Sequence, residues 1–433
     1  MEKELTGLQV YKFGGASVKD AAAILNLKHI VETTAHGRPL LIVVSAMGKT
    51  TNALEEIFGL AYAGETYENK VKHLKDFHWA AASALSKACS AAQASNAENL
   101  YDELDEHFEE LEQYLADINP RDEYDQQYDQ VVSFGELLAS RLVAFALGIY
   151  HKTAWLDCRP LIRTDRSWRE GRVNWAVTEA AIAKAVPPLL AAGPVVTQGF
   201  LGGTVRKATT TLGREGSDYS AAIFAYCLRA ASVTIWKDVP GLLNADPKIF
   251  ADTVRYPEIS YQETIEMAYY GASVIHPKTL KPLADRHIPL RVKSFVDPSA
   301  AGTLIHDCQH PPLAPAFIRK GGQCLLSFES KDFAFISEEN LEVIFGALAQ
   351  ARLKINLMQN SAISFSVCTD YAEARVQRLL ALLQGQFRVQ YNSELTLFTI
   401  KNYDQASIER LTAGRALLLE QRTRHTFQFL VRE

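Results

Sequence analysis

Residues 198–221 read QGFLGGTVRKATTTLGREGSDYSA, and this stretch decides how we interpret the chain. The apolar run 194–197 before it predicts a strand, and the pattern over 220–230 predicts a helix. A glycine-rich loop that ends at a helix N-terminus suits an anion, because the backbone can approach closely and free N–H groups point outward. Arg214 adds a fork for carboxylate or phosphate, and Asp218 a fixed negative charge. An ordinary strand–turn–helix connection looks similar, so this stretch alone leaves both interpretations open.

Composition limits the class of protein. A chain of 433 residues predicts two or three domains, and a net charge of −5 argues against nucleic acid as the main partner. The six separated cysteines are typical of free thiols in a reducing cytosol. The N-terminus lacks a signal peptide's apolar region, and the most apolar stretch, 131–150, is interrupted by Glu136 and Arg141. We therefore expect a cytoplasmic protein with no membrane segment.

Strand and helix patterns alternate through the first 300 residues. Strands are predicted at 8–13, 39–45, 153–156, 194–197, 232–236 and 290–292. This alternation predicts an α/β protein with a mostly parallel sheet sandwiched by helices, whose ligands bind beyond the carboxyl ends of the strands. A helical insertion is predicted at about 67–118, and one continuous helix from Gln126 to Tyr150.

The composition shifts near 298–315, where proline marks a linker. We predict a catalytic domain over 1–305 and a regulatory region over 316–433. That region reads as two tandem βαββαβ-like units, the second one shorter, which suit binding or dimerisation. His306, Cys308 and His310 are metal-ligand types, but they lie in the proline-rich linker, so we predict no metal site there.

Two further segments carry charged residues at strand ends. Lys12 precedes Gly14 and Gly15, and an ammonium group directed into a sheet end is costly unless an anion meets it, which favours a phosphate partner. A lysine whose head stays in water fits the same pattern. The segment 237–248 suits either a nucleotide's base and ribose or a structured turn.

Six segments in this order resemble the aspartate kinases of the amino-acid kinase superfamily, over nearly the whole chain. They are KFGGASV at 12–18, VVSAMG at 43–48, SFGE at 133–136, TTLGREGSD at 210–218, DVPG with ADPK over 238–248, and GASVIHPKT at 271–279. The resemblance implies the amino-acid kinase fold followed by two small α+β, ferredoxin-like ACT domains. It also implies transfer of a phosphoryl group from ATP, with Mg²⁺, to the β-carboxylate of L-aspartate, the first step toward lysine, threonine and methionine.

The resemblance further implies the role of each matching residue. Lys12 and Asp218 would be catalytic. The substrate would be bound by Ser45, Thr51, Glu136, Arg214 and Ser217. The nucleotide would be bound by Lys12, Gly14, Gly15, Ser17, Lys237, Asp238, Leu243, Lys248, Ser273 and Val274. The family also implies an amino-acid effector at the ACT region and a homodimer or higher homo-oligomer.

Several positions depart from the family's pattern. Ala16 and Lys237 stand where threonine is usual, Leu243 where an aromatic is usual, and Ser273 where a phosphate-contacting lysine is frequent. Lys207 and Glu215 replace glycines, and Ala362 replaces a glutamate of the effector loop, from which we predict weak or absent inhibition by lysine. Two alternatives remain open: a kinase of the glutamate type, and a non-catalytic amino-acid-binding regulator of the same fold.

Overall fold

The computed structural model describes residues 7–88, 94–149, 152–272, 275–309, 313–331 and 334–432. The chain divides into two compact units. The first comprises Met1–Leu242, Arg255–Ile265 and Val274–His310, and the second comprises Leu243–Val254, Glu266–Ser273 and Pro311–Glu433. Two short segments that precede residue 305 therefore group with the C-terminal region.

A mostly parallel sheet forms the centre of the first unit. Its strands are β1 (Gln9–Phe13), β2 (Leu40–Val44), β3 (Ala154–Leu156), β4 (Val195–Gln198), β7 (Ser232–Lys237), β8 (Glu258–Ser260), β9 (Leu290–Ser294) and β10 (Thr303–His306). They lie in the order β3-β4-β2-β1-β7-β9-β10-β8, and the β9–β10 pair is antiparallel whereas the other pairs are parallel. The central strand β2, LLIVV, is buried throughout, as expected for a parallel sheet covered on both faces. The predicted α/β class is confirmed.

Helices cover this sheet and form the predicted insertion. They are α1 (Ala21–Thr34), α2 (Thr50–Ala63), α3 (Glu68–Ser86), α4 (Ala94–Ala116), α5 (Tyr124–Val132), α6 (Phe134–Gly148), α7 (Trp175–Leu190), α8 (Gly216–Leu228), α9 (Tyr261–Tyr269) and α10 (Pro277–Asp285). A 3₁₀ turn over Gly15–Val18 follows β1. Helices α3 and α4 occupy the region where the helical insertion was predicted.

Two local predictions need correction, and both concern residues predicted for the site, which the structure places in the first turns of helices. The helix predicted from Gln126 is interrupted by one residue: α5 ends at Val132 and α6 begins at Phe134, although Ser133 between them keeps helical backbone angles. Tyr150 lies outside the described residues. The break places Glu136 in the first turn of α6. Likewise, α8 begins at Gly216 rather than near Ser220, which brings Asp218 into its first turn.

The glycine- and threonine-rich stretch is also more regular than predicted. Strands β5 (Leu201–Gly203) and β6 (Thr209–Thr211) pair as an antiparallel hairpin within it. The predicted linker at 298–315 contains β10, so His306 belongs to the large sheet. Each of these strands is three or four residues long, too short to give a clear alternation of polar and apolar residues.

One stretch, Tyr124–Gly148, is long and apolar enough to cross a membrane by length and composition. In the structure, 78% of its most apolar window is buried within the protein. Packing inside the fold thus accounts for its apolar character. The absence of a membrane partner stays a prediction.

The second unit is built on a six-stranded antiparallel sheet. Its elements are β11 (Ala316–Ser330), α11 (Glu338–Gln350), β12 (Ile355–Asn360), β13 (Ser364–Asp370), α12 (Glu373–Leu383), β14 (Phe387–Lys401), α13 (Gln405–Thr412), β15 (Leu417–Arg422) and β16 (Thr426–Arg432). The order is β12-β13-β11-β14-β16-β15. The predicted α+β character is confirmed, and β15 was not predicted.

The two predicted units in this region share strands and are not simple tandem repeats. Strand β14 is one strand of 15 residues where two short strands were predicted. The start of β11 pairs with the end of β14 (Ala316 with Lys401), and the end of β11 pairs with the start of β14 (Ser330 with Phe387). The second predicted unit thus includes the first part of β11, which comes before the other elements of the first predicted unit in the chain. This is why the second unit looked short in the sequence.

Candidate active site

An open cavity of about 630 Å³ lies in the first unit, beyond the carboxyl ends of β1, β2 and β7. This is the edge at which parallel α/β sheets bind ligands. Many of the residues predicted for the site line it together: Lys12, Gly15, Ser45, Thr51, Glu136, Arg214, Ser217, Asp218 and Lys237.

At one end of the cavity, two lysines flank one buried carboxylate. The Lys12 ammonium lies 2.7 Å from Oδ1 of Asp218, and the Lys237 ammonium lies 3.5 Å from Oδ2. Asp218 is only 2% exposed. Burial raises the pKa of Asp218, but the two ammonium groups outweigh burial and hold that pKa below its usual range. Asp218 is therefore ionised at neutral pH.

The turns after β1 and β2 interlock beside these lysines. A Cβ on Gly15 would come within 2.9 Å of the Ala46 carbonyl oxygen and 3.0 Å of that of Gly48, so only glycine fits without moving backbone. The Gly48 N–H donates to the Gly15 carbonyl at 3.1 Å, and the Ser45 N–H donates to that of Phe13 at 3.1 Å. These bonds fix the backbone around the phosphate-binding glycine proposed from the sequence.

Glu136 is a second buried carboxyl group among the residues that line the cavity. Its Oε1 accepts the Ala46 N–H at 3.2 Å, and its Oε2 has no hydrogen-bond partner among the described residues. Burial raises the pKa of Glu136 to about 8, although the Ala46 hydrogen bond and the charge of Lys12 oppose this. A buried carboxyl oxygen without a partner at a cavity wall suits an incoming cationic group.

Arg214 and Glu215 lie at the turn that starts α8. Arg214 is exposed, lines the cavity, and makes no ion pair with another described residue. Glu215 has a positive φ of 53°, and Lys207 one of 65°. Both replacements of family glycines thus keep a backbone conformation that glycine favours. The Glu215 carboxylate accepts the His276 N–H at 2.8 Å, which ties the fourth motif to the sixth.

Four further residues that line this cavity belong to none of the motifs found in the sequence: Glu55, Tyr128, Arg169 and Glu170. The Tyr128 hydroxyl donates to the Glu55 carboxylate at 2.5 Å, and the Arg169 guanidinium stacks on the Tyr128 ring at 4.1 Å. A fifth residue, Asp129 of α5, contacts this group. It is fully buried and accepts the backbone N–H groups of Arg169 and Thr211, each at 3.0 Å.

Other predicted site residues do not line the cavity. Gly14 and Ser17 belong to the turn after β1, where the buried Ser17 hydroxyl has no hydrogen-bond partner among the described residues. Asp238 is exposed just after β7. Leu243 and Lys248 belong to the second compact unit. Ser273 and Val274 lie outside the described residues.

Comparison with known proteins places this geometry in a family. The model of the amino acid kinase family matches residues 7–294. Lysine-sensitive aspartokinase 3 of Escherichia coli K12 is 32% identical over 409 residues, which cover 92% of this chain and 88% of that protein. Chloroplastic aspartokinase 2 of Arabidopsis thaliana is 31% identical, over 96% of this chain and 74% of its own length.

Solved structures agree with these sequence matches. E. coli aspartokinase III in complex with aspartate and ADP, in its R-state, superposes with a TM-score of 0.79 at 30% identity, over 98% of this chain and 96% of that one. The aspartate kinase of Clostridium acetobutylicum, at 19% identity and a TM-score of 0.76, shares the fold. The chain belongs to the amino acid kinase family and, within it, to the aspartokinases.

Proposed function

We propose that the protein transfers the γ-phosphoryl group of ATP to the β-carboxylate of L-aspartate, giving 4-phospho-L-aspartate and ADP. The observation that carries this proposal is one cavity that holds Lys12, Asp218 and Lys237 together with Glu136 and Arg214. The related E. coli enzyme has been solved with aspartate and ADP. The product would enter the biosynthesis of lysine, threonine and methionine.

The chemistry needs no general base, because an aspartate β-carboxylate is already ionised at neutral pH. A carboxylate oxygen forms a bond to the γ-phosphorus, the bond to the bridging oxygen breaks, and its electron pair leaves with ADP. No proton moves. Catalysis then depends on positioning two anions and on neutralising the charge of the transferring group.

The residues divide this work between the two ends of the cavity. Lys12 and the backbone around Gly15 bind the phosphates at one end. Arg214 binds the substrate's α-carboxylate through a bidentate contact, and Glu136 binds its α-ammonium group. Only the side-chain carboxylate then reaches the phosphate. Ser45, Thr51 and Ser217 donate hydrogen bonds to the substrate.

The remaining predicted contacts belong to the nucleotide. We assign to it Gly14, Ser17, Lys237 and Asp238 of the first unit. For Leu243, Lys248, Ser273 and Val274, a nucleotide contact stays the prediction that the family resemblance makes. Within the described part of the chain, no three acidic, histidine or cysteine side chains cluster as a metal site. We propose that Mg²⁺ arrives bound to the phosphates of ATP, as part of the substrate.

The C-terminal unit is the candidate for assembly and regulation. We propose a homodimer formed mainly through this unit, an amino-acid effector bound there, and a cytoplasmic location. In the β12–β13 turn, the Ala362 carbonyl oxygen accepts the Ile336 N–H at 3.0 Å. Its methyl side chain offers no charge to a cationic effector, so we expect weak or absent inhibition by lysine. Light scattering tests the homodimer, and a steady-state titration with lysine tests the expected lack of inhibition.

One assay tests the central proposal. Hydroxylamine traps an acyl phosphate as a hydroxamate, and the trapping rate is compared for L-aspartate, L-glutamate and N-acetylglutamate with ATP. We expect a product with L-aspartate alone. A hydroxamate from either glutamate substrate instead would indicate a kinase of the glutamate type. ATP-dependent product from none of them would indicate a non-catalytic regulator.

A further inference from the structure

The side chains that line the cavity include more carboxyl groups than cationic groups, although the ligands proposed for it carry negative charge. Among the described lining residues, five carboxyl groups face two guanidinium and two ammonium groups. The carboxyl groups belong to Glu55, Glu136, Glu170, Glu215 and Asp218. A nucleotide and an amino acid with two carboxylates bring several further negative charges. Each cation near the transferring group therefore has to neutralise a larger share of the negative charge than it would in a site rich in basic residues.

We assign neither of the two guanidinium groups to the transferring phosphoryl group. Arg169 stacks on Tyr128 and lies 3.5 Å from the Asp125 carboxylate. Arg214 lies at the start of α8, where we propose that it binds the α-carboxylate. This leaves Lys12 and Lys237 as the ammonium groups of the described cavity wall.

Strand register explains why these two ammonium groups meet. Strands β1 and β7 are parallel neighbours, and Lys12 is paired with Ile235. Since side chains alternate along a strand, Lys12, Ile235 and Lys237 project from the same face of the sheet. Trp236 between them projects from the other face, where its ring stacks on Phe13 with an interplanar angle of 3°. Packing on one face thus fixes the position of Lys237 on the other.

Asp218 then holds both lysines at one place. Each of its two oxygens lies near a different ammonium group, at 2.7 Å for Lys12 and 3.5 Å for Lys237. One negative charge between two positive charges leaves a net charge of about +1 on the group at pH 7. Both ammonium groups also line the cavity in which the ligands are proposed to bind.

We propose that Lys237 is a second catalytic ammonium group, which contacts the transferring phosphoryl group while Asp218 holds it beside Lys12. This inference rests on the proposed function and refines the nucleotide contact given there. As the bond to the β-carboxylate oxygen forms and the bond to ADP breaks, negative charge spreads over the equatorial oxygens of the phosphoryl group. Two fixed cations stabilise that charge better than one, and a shared carboxylate keeps them from separating by mutual repulsion.

The test compares Lys237→Met with a matched control, Lys293→Met, in the hydroxamate assay. Lys293 lies on the neighbouring strand β9, is paired with Trp236, and has its ammonium group over the Trp236 ring at 5.5 Å. It does not belong to the described cavity wall. The two variants therefore remove the same charge from adjacent strands, and only one of them changes the cavity.

We expect Lys237→Met to lower kcat by about 100-fold, the effect of removing one preorganised charge donor. The KM for aspartate should change by less than about threefold, because the lysine acts on the transferring group. Lys237→Arg, which keeps the charge, should recover at least about tenfold of the lost kcat. Lys293→Met should keep the kcat of the unmodified protein. A lysine that served folding alone would not separate kcat from KM in this way.

Folding is checked in each variant by its thermal transition and by its stabilisation with ADP. Should Lys237→Met not fold, the neutral but polar Lys237→Gln replaces it with the same expectation. A folded neutral variant that keeps its kcat within about threefold of the Lys293→Met value overturns the assignment. A variant in which only the KM for aspartate changes overturns it as well. An unmodified protein that forms no aspartyl hydroxamate refutes the proposed function itself, before any variant is measured.

Discussion

Two buried carboxyl groups in one cavity behave in opposite ways. Glu136 is 4% exposed and Asp218 2%, yet the pKa of Glu136 is raised to about 8 and that of Asp218 is lowered. Burial acts on both in the same direction. The difference comes from neighbours, since Asp218 lies between Lys12 and Lys237 whereas Glu136 has one hydrogen bond from the Ala46 N–H. Asp218 is thus an anion that holds two cations, whereas we propose that Glu136 gains a close cationic partner when the substrate binds.

The largest effect is expected at the phosphate end. Lys12→Met removes the closer partner of Asp218 and the ammonium group proposed to face the phosphates. We expect kcat at saturating aspartate to fall by about 10³-fold, while the KM for aspartate changes little. Steady-state hydroxamate assays measure both constants. A kcat within about tenfold of the unmodified value would show that this end is not the site of phosphoryl transfer.

A smaller effect is expected at the amino-acid end. Glu136→Gln keeps the shape of the side chain and its contact with Ala46 but removes the charge. The kcat/KM for aspartate should fall roughly 10- to 150-fold, since a charged hydrogen bond contributes about 1.5–3 kcal/mol. The KM for ATP should stay within about threefold. An unchanged kcat/KM for aspartate would mean that Glu136 serves only packing.

The pH dependence of the KM for aspartate distinguishes Glu136 from Asp218. With a pKa of about 8, Glu136 is mostly protonated at pH 6.5 in the free protein, and it must lose that proton to pair with the substrate's ammonium group. The KM for aspartate should therefore fall as pH rises toward 8, by up to about tenfold per pH unit, and level off above it. Asp218 stays ionised over this range and adds no such change. In Glu136→Gln the dependence should disappear; a dependence that persists would assign it to another group.

The smallest effects separate backbone strain from hydrogen bonding at two positions that replace family glycines. Lys207 and Glu215 both have positive φ, but only Glu215 also accepts a backbone N–H through its side chain, that of His276. Lys207→Gly should raise the free energy of unfolding by roughly 0.5–1 kcal/mol, because relief of strain exceeds the entropy that glycine adds to the unfolded chain. Glu215→Gly should lower it by about 1 kcal/mol, since the lost hydrogen bond outweighs the same relief. Urea denaturation of both variants gives the comparison, and equal shifts would contradict it.

The sequence by itself determined the alternation of strands and helices in the first 300 residues and the chemical character of the cavity. Apolar β-branched runs such as β2 and the glycines after β1 are local signals, because burial and backbone conformation restrict which residue types fit. The same is true of the charged residues at strand ends, Lys12 and Asp218. They could be placed near a ligand because parallel strands and the helices that follow them present their ends at one edge.

Only the tertiary structure decided which of these charges meet. Lys12 and Lys237 are more than two hundred positions apart, and their shared contact with Asp218 depends on the pairing of β1 with β7. The contact of Glu136 with Ala46 and the Arg169 stack on Tyr128 depend in the same way on packing between distant segments. The pairing of β11 with β14 also depends on packing between distant segments. Local pattern encodes burial and periodicity, but a contact between distant residues is set by register and packing, which no local pattern records.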